Sequence, residues 1–298
     1  GILRACKMMR FSMKVMVTVS TLNIILNIIL VFYTPVGEIG IPLSTAICWM
    51  IAFIVTVPVI RRLMTPVITN SAGVVREFSK ELAKKIFSIS WPAGIVSFSW
   101  QLSSMMMFTI VGNLPVNSVE TMAAMTAGLR IESMIYMPAF AFNMANAVFV
   151  GNLLGEKKPD DAYAAGLATA AIGVSLITVL TVVVIALAPP IANILASKDE
   201  MGNADPIVLR EIIVYLRVVM ISEPFMAANL MFGGALSGAG DTRTLMRYAI
   251  FSLWVVRIPT AYIFGIVLGY GAVAVWWAMN VTFFCQSFLS GRRYLSKK

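Results

Sequence analysis

Between Lys14 and Glu38 the chain carries no charged residue, and between Glu38 and Arg61 there is again none. A third uncharged run covers residues 86–119. About 20 consecutive apolar residues carry an α-helix across a hydrocarbon core, so runs of this length constrain the chain to a membrane. Composition agrees with that constraint. Of 298 residues, 59 % are apolar and only 12 % charged, whereas soluble domains carry about 25 % charged residues. A water-facing surface cannot be built from so little charge.

Five further runs complete the pattern: residues 120–154, which enclose Arg130 and Glu132; 163–189; 207–234; 245–268, which enclose Arg257; and 271–290. The expected fold class is therefore all-α, a polytopic membrane protein with eight transmembrane helices. The connections test that reading. Taken alternately, they place 17 basic residues on one side, from Arg4, Lys7 and Arg10 through Lys157 and Lys158 to Lys297 and Lys298. The other side holds Lys198 alone. The positive-inside rule makes the basic side cytoplasmic, with both ends of the chain on it. The net charge of +9 is then a topology signal, and nucleic acid is not an expected partner.

The sequence contains no His, which removes imidazole proton relays, Ser-His nucleophiles and most hydrolytic metal sites. No metal site and no catalytic residue is expected. Cys6, Cys48 and Cys285 show no paired spacing and read as small buried hydrophobes. Between residues 62 and 85, Val75, Phe78, Leu82 and Ile86 recur at helical spacing opposite Arg76, Glu77, Lys80, Glu81, Lys84 and Lys85. That is the pattern of an amphipathic helix lying on the membrane as a cytoplasmic linker.

Self-similarity gives the organisation. The segment Gly1-Ile2-Leu3-Arg4 through Arg10 matches Gly234-Ala235-Leu236-Ser237 through Arg243 at Gly, Leu and Arg, and the segment from Gly40 matches that from Gly271. Both copies precede two helices and a basic stretch, which implies a parallel repeat about an axis along the membrane normal. The expected division is residues 1–61 as the last two helices of a first lobe, 62–85 as the linker, and 86–298 as a second lobe of six helices. On that arithmetic four more helices precede Gly1 in the natural protein.

Three segments carry a family resemblance. They are Arg130-Ile131-Glu132 with Gly151-Asn152-Leu153-Leu154-Gly155-Glu156-Lys157-Lys158; Tyr215-Leu216-Arg217 with Gly234 through Arg243; and Arg257-Ile258-Pro259. In combination the chain resembles the bacterial type of multidrug and toxic compound extrusion (MATE) transporters. The resemblance implies two six-helix lobes around a cavity and export of amphipathic, often cationic, compounds across the bacterial cytoplasmic membrane in exchange for Na⁺ or H⁺. It implies no cofactor besides that coupling ion. Small amphipathic cations and the lipid bilayer are the expected partners, and a monomer the expected state.

The resemblance also assigns residues. An Asn-x-x-x-Asp/Asn pair of the family's first lobe is matched by Asn23 and Asn27, candidates for the cation site; their i, i+4 spacing puts both amides on one helix face. The alternative role for the pair is interhelical hydrogen bonding. The second lobe departs from the family. Where some members have an acid, this chain reads Ser99-Trp100-Gln101, and farther on Met226 stands with Glu223 about one turn earlier. Charged residues at mid-bilayer cost at least about 2.5–3.5 kcal/mol each, so those present need a reason. Glu132 and Glu223 are candidates for a cationic substrate or a proton, with Gln101 beside them and Arg257 as partner to either acid; a structural ion pair is the other explanation. Pro92, Pro138, Pro224 and Pro259 are expected to bend their helices. The run Met105-Met106-Met107, with Met134, Met137 and Met144, would suit an adaptable cavity wall.

Gly240 is expected to end one helix and Asp241 or Thr242 to cap the next, with Gly155 and Pro159-Asp160 doing the same at the equivalent turn. Two other functions compete with the antiporter. A flippase for a lipid-linked saccharide needs a strongly cationic cavity, and few Arg lie in the spans. A membrane-embedded transferase needs clustered acids or His at the interface, and the sequence has no such cluster, so an enzyme is not expected.

Overall fold

The structure, a computed structural model, describes residues 9–35, 37–70, 80–196 and 204–296. Cys6, Arg4, Lys7, Lys198, Lys297 and Lys298 lie outside the described residues, as do Val75, Arg76, Glu77 and Phe78 of the expected linker. The chain divides into two compact units, Gly1–Ala83 and Lys84–Lys298.

The first unit is a helical hairpin of α1 (Met9–Phe32) and α2 (Gly40–Asn70), joined through a 3₁₀ turn at Gly37–Ile39. Gly37 turns the chain with φ of 55°. Val19, Cys48 and Ala52 form the seam, with Val15, Leu22 and Leu26 packed against it. Ile24, Ile25 and Phe32 face outward on α1, as expected of a helix whose solvent is lipid. The second expected span, ending at Arg61, agrees with an apolar stretch over Gly40–Arg62. α2 continues to Asn70.

The second unit contains α3 (Lys80–Gly112, its first turn contributed by the preceding unit), α4 (Ser118–Gly155), α5 (Pro159–Ala186), a short α6 (Ala188–Leu195), α7 (Pro206–Val219), α8 (Glu223–Gly238), α9 (Thr242–Val267) and α10 (Ala272–Leu295). The described residues form no β-strand. Among them, seven helices are long and apolar enough to cross a membrane: α1, α2, α3, α4, α5, α9 and α10. The protein is a multi-pass membrane protein.

The run expected to be one span at 207–234 folds instead as α7 and α8 around a 3₁₀ turn at Met220–Ser222. Pro224 is the cause. It has no N–H for the carbonyl of Met220 and its ring crowds that carbonyl, so Met220 accepts from Glu223 in a tighter turn. The two halves nevertheless follow α4 in parallel along its length. Tyr215 lies on Gly128, Asn143 meets Leu230, and Gly151 meets Gly238.

Small residues set the closeness of that seam. A methyl group on Gly234 would lie 2.3 Å from the Asn143 carbonyl oxygen, and one on Gly238 would lie 2.4 Å from that of Ala147. Two glycines four apart thus admit two backbone carbonyls four apart, the approach by which membrane helices gain dispersion contact where lipid gives no hydrophobic drive. Asn146 ties in a third helix, donating from Nδ2 to Met231 at 2.9 Å and to Gly166 of α5 at 3.3 Å.

The turns follow the sequence. Gly240 is left-handed, with φ of 83°, and Asp241 stands at the N-cap of α9. Gly155 is the last residue of α4, although the left-handed residue of that turn is Lys157, with φ of 61°; Pro159 opens α5 with Asp160 and Asp161 in its first turn. Asp241 accepts from Nε and Nη2 of Arg293, both at 3.0 Å, which ties the turn after α8 to the end of α10.

Within α9 the backbone winds as a π-helix over Phe251–Arg257 and again over Ile263–Val267. Pro259 stands between the two stretches and cannot donate to the carbonyl of Val255. Wider turns of this kind inside α-helices collect at functional sites.

Candidate functional site

The second unit contains a cavity of about 710 Å³, within the 300–1,000 Å³ common for small-molecule pockets. Helical spacing explains which side chains reach it. From α8 come Glu223, Met226, Asn229, Gly233 and Ser237, and from α4 Glu132, Ser133, Tyr136, Phe140 and Asn143. These recur every three or four residues, one face of each helix. α3 adds Trp100 and Gln101, and α10 adds Phe283, Gln286 and Ser290.

Glu132 is held from behind. The Tyr215 hydroxyl donates to its Oε1. Tyr215 is itself fully buried, edge-on to Trp276 with ring centroids 4.5 Å apart, and its ring fills the space that Gly128 leaves. A methyl group on Gly128 would stand 2.1 Å from the Tyr215 ring. The carboxylate's orientation is therefore fixed by packing, a hydrogen bond and the absence of one side chain.

Glu223 reaches the same cavity as the first residue of α8. It is 1 % exposed, and its Oε2 has no hydrogen-bond partner. Gln286 accepts at Oε1 from Asn229 at 3.1 Å, and Asn229 accepts from Ser290 at 2.9 Å. The Nε2 of Gln286, by contrast, is buried without an acceptor. Two residues that line the cavity thus each keep a buried polar atom without a partner, a state that costs free energy.

Arg257 makes no ion pair with Glu132 or Glu223 within 4.0 Å. Its guanidinium lies over the rings of Trp100 and Phe283 instead, 5.1 and 5.6 Å from their centroids.

The structure therefore brings Gln101, Glu132 and Glu223 to one cavity, with Arg257 adjoining it behind Trp100 and Phe283. Asn23 and Asn27 belong to the first unit. There Asn27 Nδ2 donates to Asn23 Oδ1 at 3.1 Å, the Ser44 hydroxyl donates to Asn27 Oδ1 at 2.5 Å, and Asn23 Nδ2 points to the Ser44 and Thr45 hydroxyls at 3.5 and 3.4 Å. Arg130 and Arg217 are exposed on their helices. Of the methionines expected in the wall, Met137 lines the cavity, whereas Met107 is packed in the core and Met105 and Met134 are exposed elsewhere.

The cavity residues of α10 carry a sequence signal: Phe283, Gln286 and Ser290 continue a buried stripe from Trp276 and Asn280 at spacings of three or four, mixing polar with aromatic groups. Asn143, Asn229 and Tyr215 had no comparable local signal, because each acquires its role from a partner far along the chain.

A family model, MatE, matches residues 92–263, more than half of the chain. The chain belongs to the MatE family. Its members are transporters. The match covers α4 through most of α9, and so the helices that carry Glu132, Glu223 and Arg257. An uncharacterized transporter of Bacillus subtilis, YisQ, is 23 % identical over 305 residues, covering 100 % of this chain and 64 % of its own length. A probable multidrug resistance protein NorM of Bradyrhizobium diazoefficiens is 27 % identical over 177 residues, 59 % of this chain and 37 % of that protein. The fold agrees with a crystal structure of MATE in the straight conformation at a TM-score of 0.78 and 18 % identity, over 96 % of this chain and 63 % of that one. It also agrees with the MATE transporter ClbM in complex with Rb⁺ at 0.74 and 21 %, over 94 % and 59 %. The chain thus spans less than two thirds of the length of these relatives.

Proposed function

We propose that the protein exports amphipathic, cationic compounds across a bacterial cytoplasmic membrane in exchange for Na⁺ or H⁺, acting as a monomer with both ends of this chain on the cytoplasmic side. The cavity of the second unit carries the proposal. Its acidic lining residues are the two glutamates Glu132 and Glu223, and Trp100, Tyr136, Phe140 and Phe283 supply aromatic faces. Carboxylates beside aromatic rings recognise an apolar cation by charge and by cation–π attraction together. The multidrug names of the NorM relatives support the same substrate class.

Asn23 and Asn27 support a site for the coupling ion. For a cation to bind there, the Ser44 hydroxyl has to turn away from Asn27 and lend its oxygen as a further ligand. A flippase for lipid-linked saccharides, the competing function within the wider superfamily, requires a cationic wall for its phosphates. The residues lining this cavity include no Lys or Arg, which disfavours it.

The test is ethidium retention in efflux-deficient bacteria expressing the protein, under imposed Na⁺ and pH gradients. The expected result is lower retention than with empty vector under one of the two gradients, abolished by Glu132→Gln with Glu223→Gln. Retention equal to empty vector under both gradients would overturn the proposal.

A further inference from the structure

Among the described residues Arg257 is the only buried basic side chain, at 3 % exposure. A guanidinium in such a place ordinarily has a carboxylate against it. Arg257 has none within 4.0 Å among the described residues, and its Nε makes no hydrogen bond. Its surroundings are aromatic. The guanidinium carbon and the centroids of Trp100 and Phe283 form a nearly equilateral triangle with sides of 5.1, 5.6 and 5.7 Å. The two rings stack on each other and line the cavity. Arg257 is thus separated from the cavity by a pair of side chains and lies beyond ion-pair distance, 4.0 Å, of Glu132. The π-helical stretch Phe251–Arg257 ends on this residue, with Pro259 two positions on.

We propose that Arg257 is the resident counter-cation of the cavity and sets how many positive charges a ligand brings into it. The inference rests on the cavity receiving organic cations. Glu132 and Glu223 attract such a ligand, and the guanidinium behind the rings offsets part of that attraction without touching it. Coulomb energy scales with ligand charge. Removing the guanidinium therefore leaves a neutral ligand unaffected, favours a monocation by one factor, and favours a dication by about the square of that factor. A purely structural Arg257 would shift all three ligands alike. Arg257 is in this sense a specificity-determining residue that acts through the field at Glu132.

The experiment measures equilibrium binding to the 298-residue chain in phosphatidylcholine nanodiscs. The probes are triphenylphosphine oxide, tetraphenylphosphonium and an alkyl-linked bis(triphenylphosphonium), with charges of zero, one and two. For Arg257→Gln the expected shifts are none, about tenfold tighter and about a hundredfold tighter, on the order of tenfold per unit charge. Arg257→Lys is expected to keep the wild-type order. A common factor for all three probes, or an Arg257→Lys that behaves as Arg257→Gln, would overturn the proposal. If Arg257→Gln does not fold, Arg257→Gln with Glu132→Gln removes one charge of each sign and is read in its place. The wild-type charge preference is expected of it, and any other preference counts against the proposal. A wild-type chain that binds neither cation would overturn this inference and the reading beneath it together, whereas binding without the charge-dependent shift overturns this inference alone.

Discussion

In the first unit, Asn23, Asn27 and Ser44 satisfy one another; in the second, Glu223 and Gln286 each keep a buried polar atom without a partner. Both sets sit in apolar helices, where an unmet polar group is expensive. The first cluster has met its cost internally and holds α1 to α2. The second has left its cost open beside a cavity of about 710 Å³. Among the described residues with an unpaired buried polar atom, Glu223 and Gln286 are the two that line this cavity, so a ligand there is the one placed to supply what they lack.

The largest expected effect breaks the support of the open site. Gly128→Leu forces a side chain into the Tyr215 ring, whose atoms already stand 2.1 Å from a bare methyl position. Overpacking on this scale costs about 3 kcal/mol or more, so a large drop in the midpoint of thermal unfolding is expected; an unchanged midpoint would show that Tyr215 is not locked over Glu132. Next comes Glu223→Gln. It removes a charge facing the cavity and should weaken tetraphenylphosphonium binding about tenfold, with little loss of stability, because Oε2 has no bond to lose. A smaller pair of effects contrasts the two sites directly. Asn27→Ala breaks a closed cluster and should cost about 1 kcal/mol of stability, whereas Gln286→Ala, despite its bond to Asn229, should cost less because it also removes an unmet donor. Equal losses would erase the distinction. The smallest effect is expected of Tyr215→Phe, which deletes one hydrogen bond to Glu132 and keeps the ring on Gly128. A loss of roughly 0.6 kcal/mol is typical of such bonds in membrane proteins.

Much of this architecture was legible in the chain itself. Uncharged runs reveal helices in lipid because stripping the hydration from a charge is the largest cost a side chain in a span can incur. Asn23 and Asn27 were picked out by the family resemblance, and their i, i+4 spacing then put both amides on one helix face. The division of α7 from α8 was also written in the sequence, in Pro224, but an apolar run counted by length does not register a missing backbone donor. The π-helical stretches of α9 leave no comparable composition signature, since they answer to how Pro259 and the neighbouring helices share carbonyls. The cavity was half legible. Glu132, Glu223 and Gln101 stood out against an apolar background, while Tyr215 reaches Glu132 across 83 positions and Gln286 reaches Asn229 across 57. Arg257 had been expected to face an acid. Its aromatic setting arises from three different helices and has no local spacing to reveal it.

The central claim is that the open carboxylate of the second unit is where an organic cation binds. Carbodiimide labelling of the carboxyl groups, read residue by residue by mass spectrometry with and without saturating tetraphenylphosphonium, tests it most directly. The cation is expected to protect Glu223 and Glu132 from modification while labelling of the exposed Glu156 is unchanged. Equal labelling of Glu223 with and without the cation would contradict it.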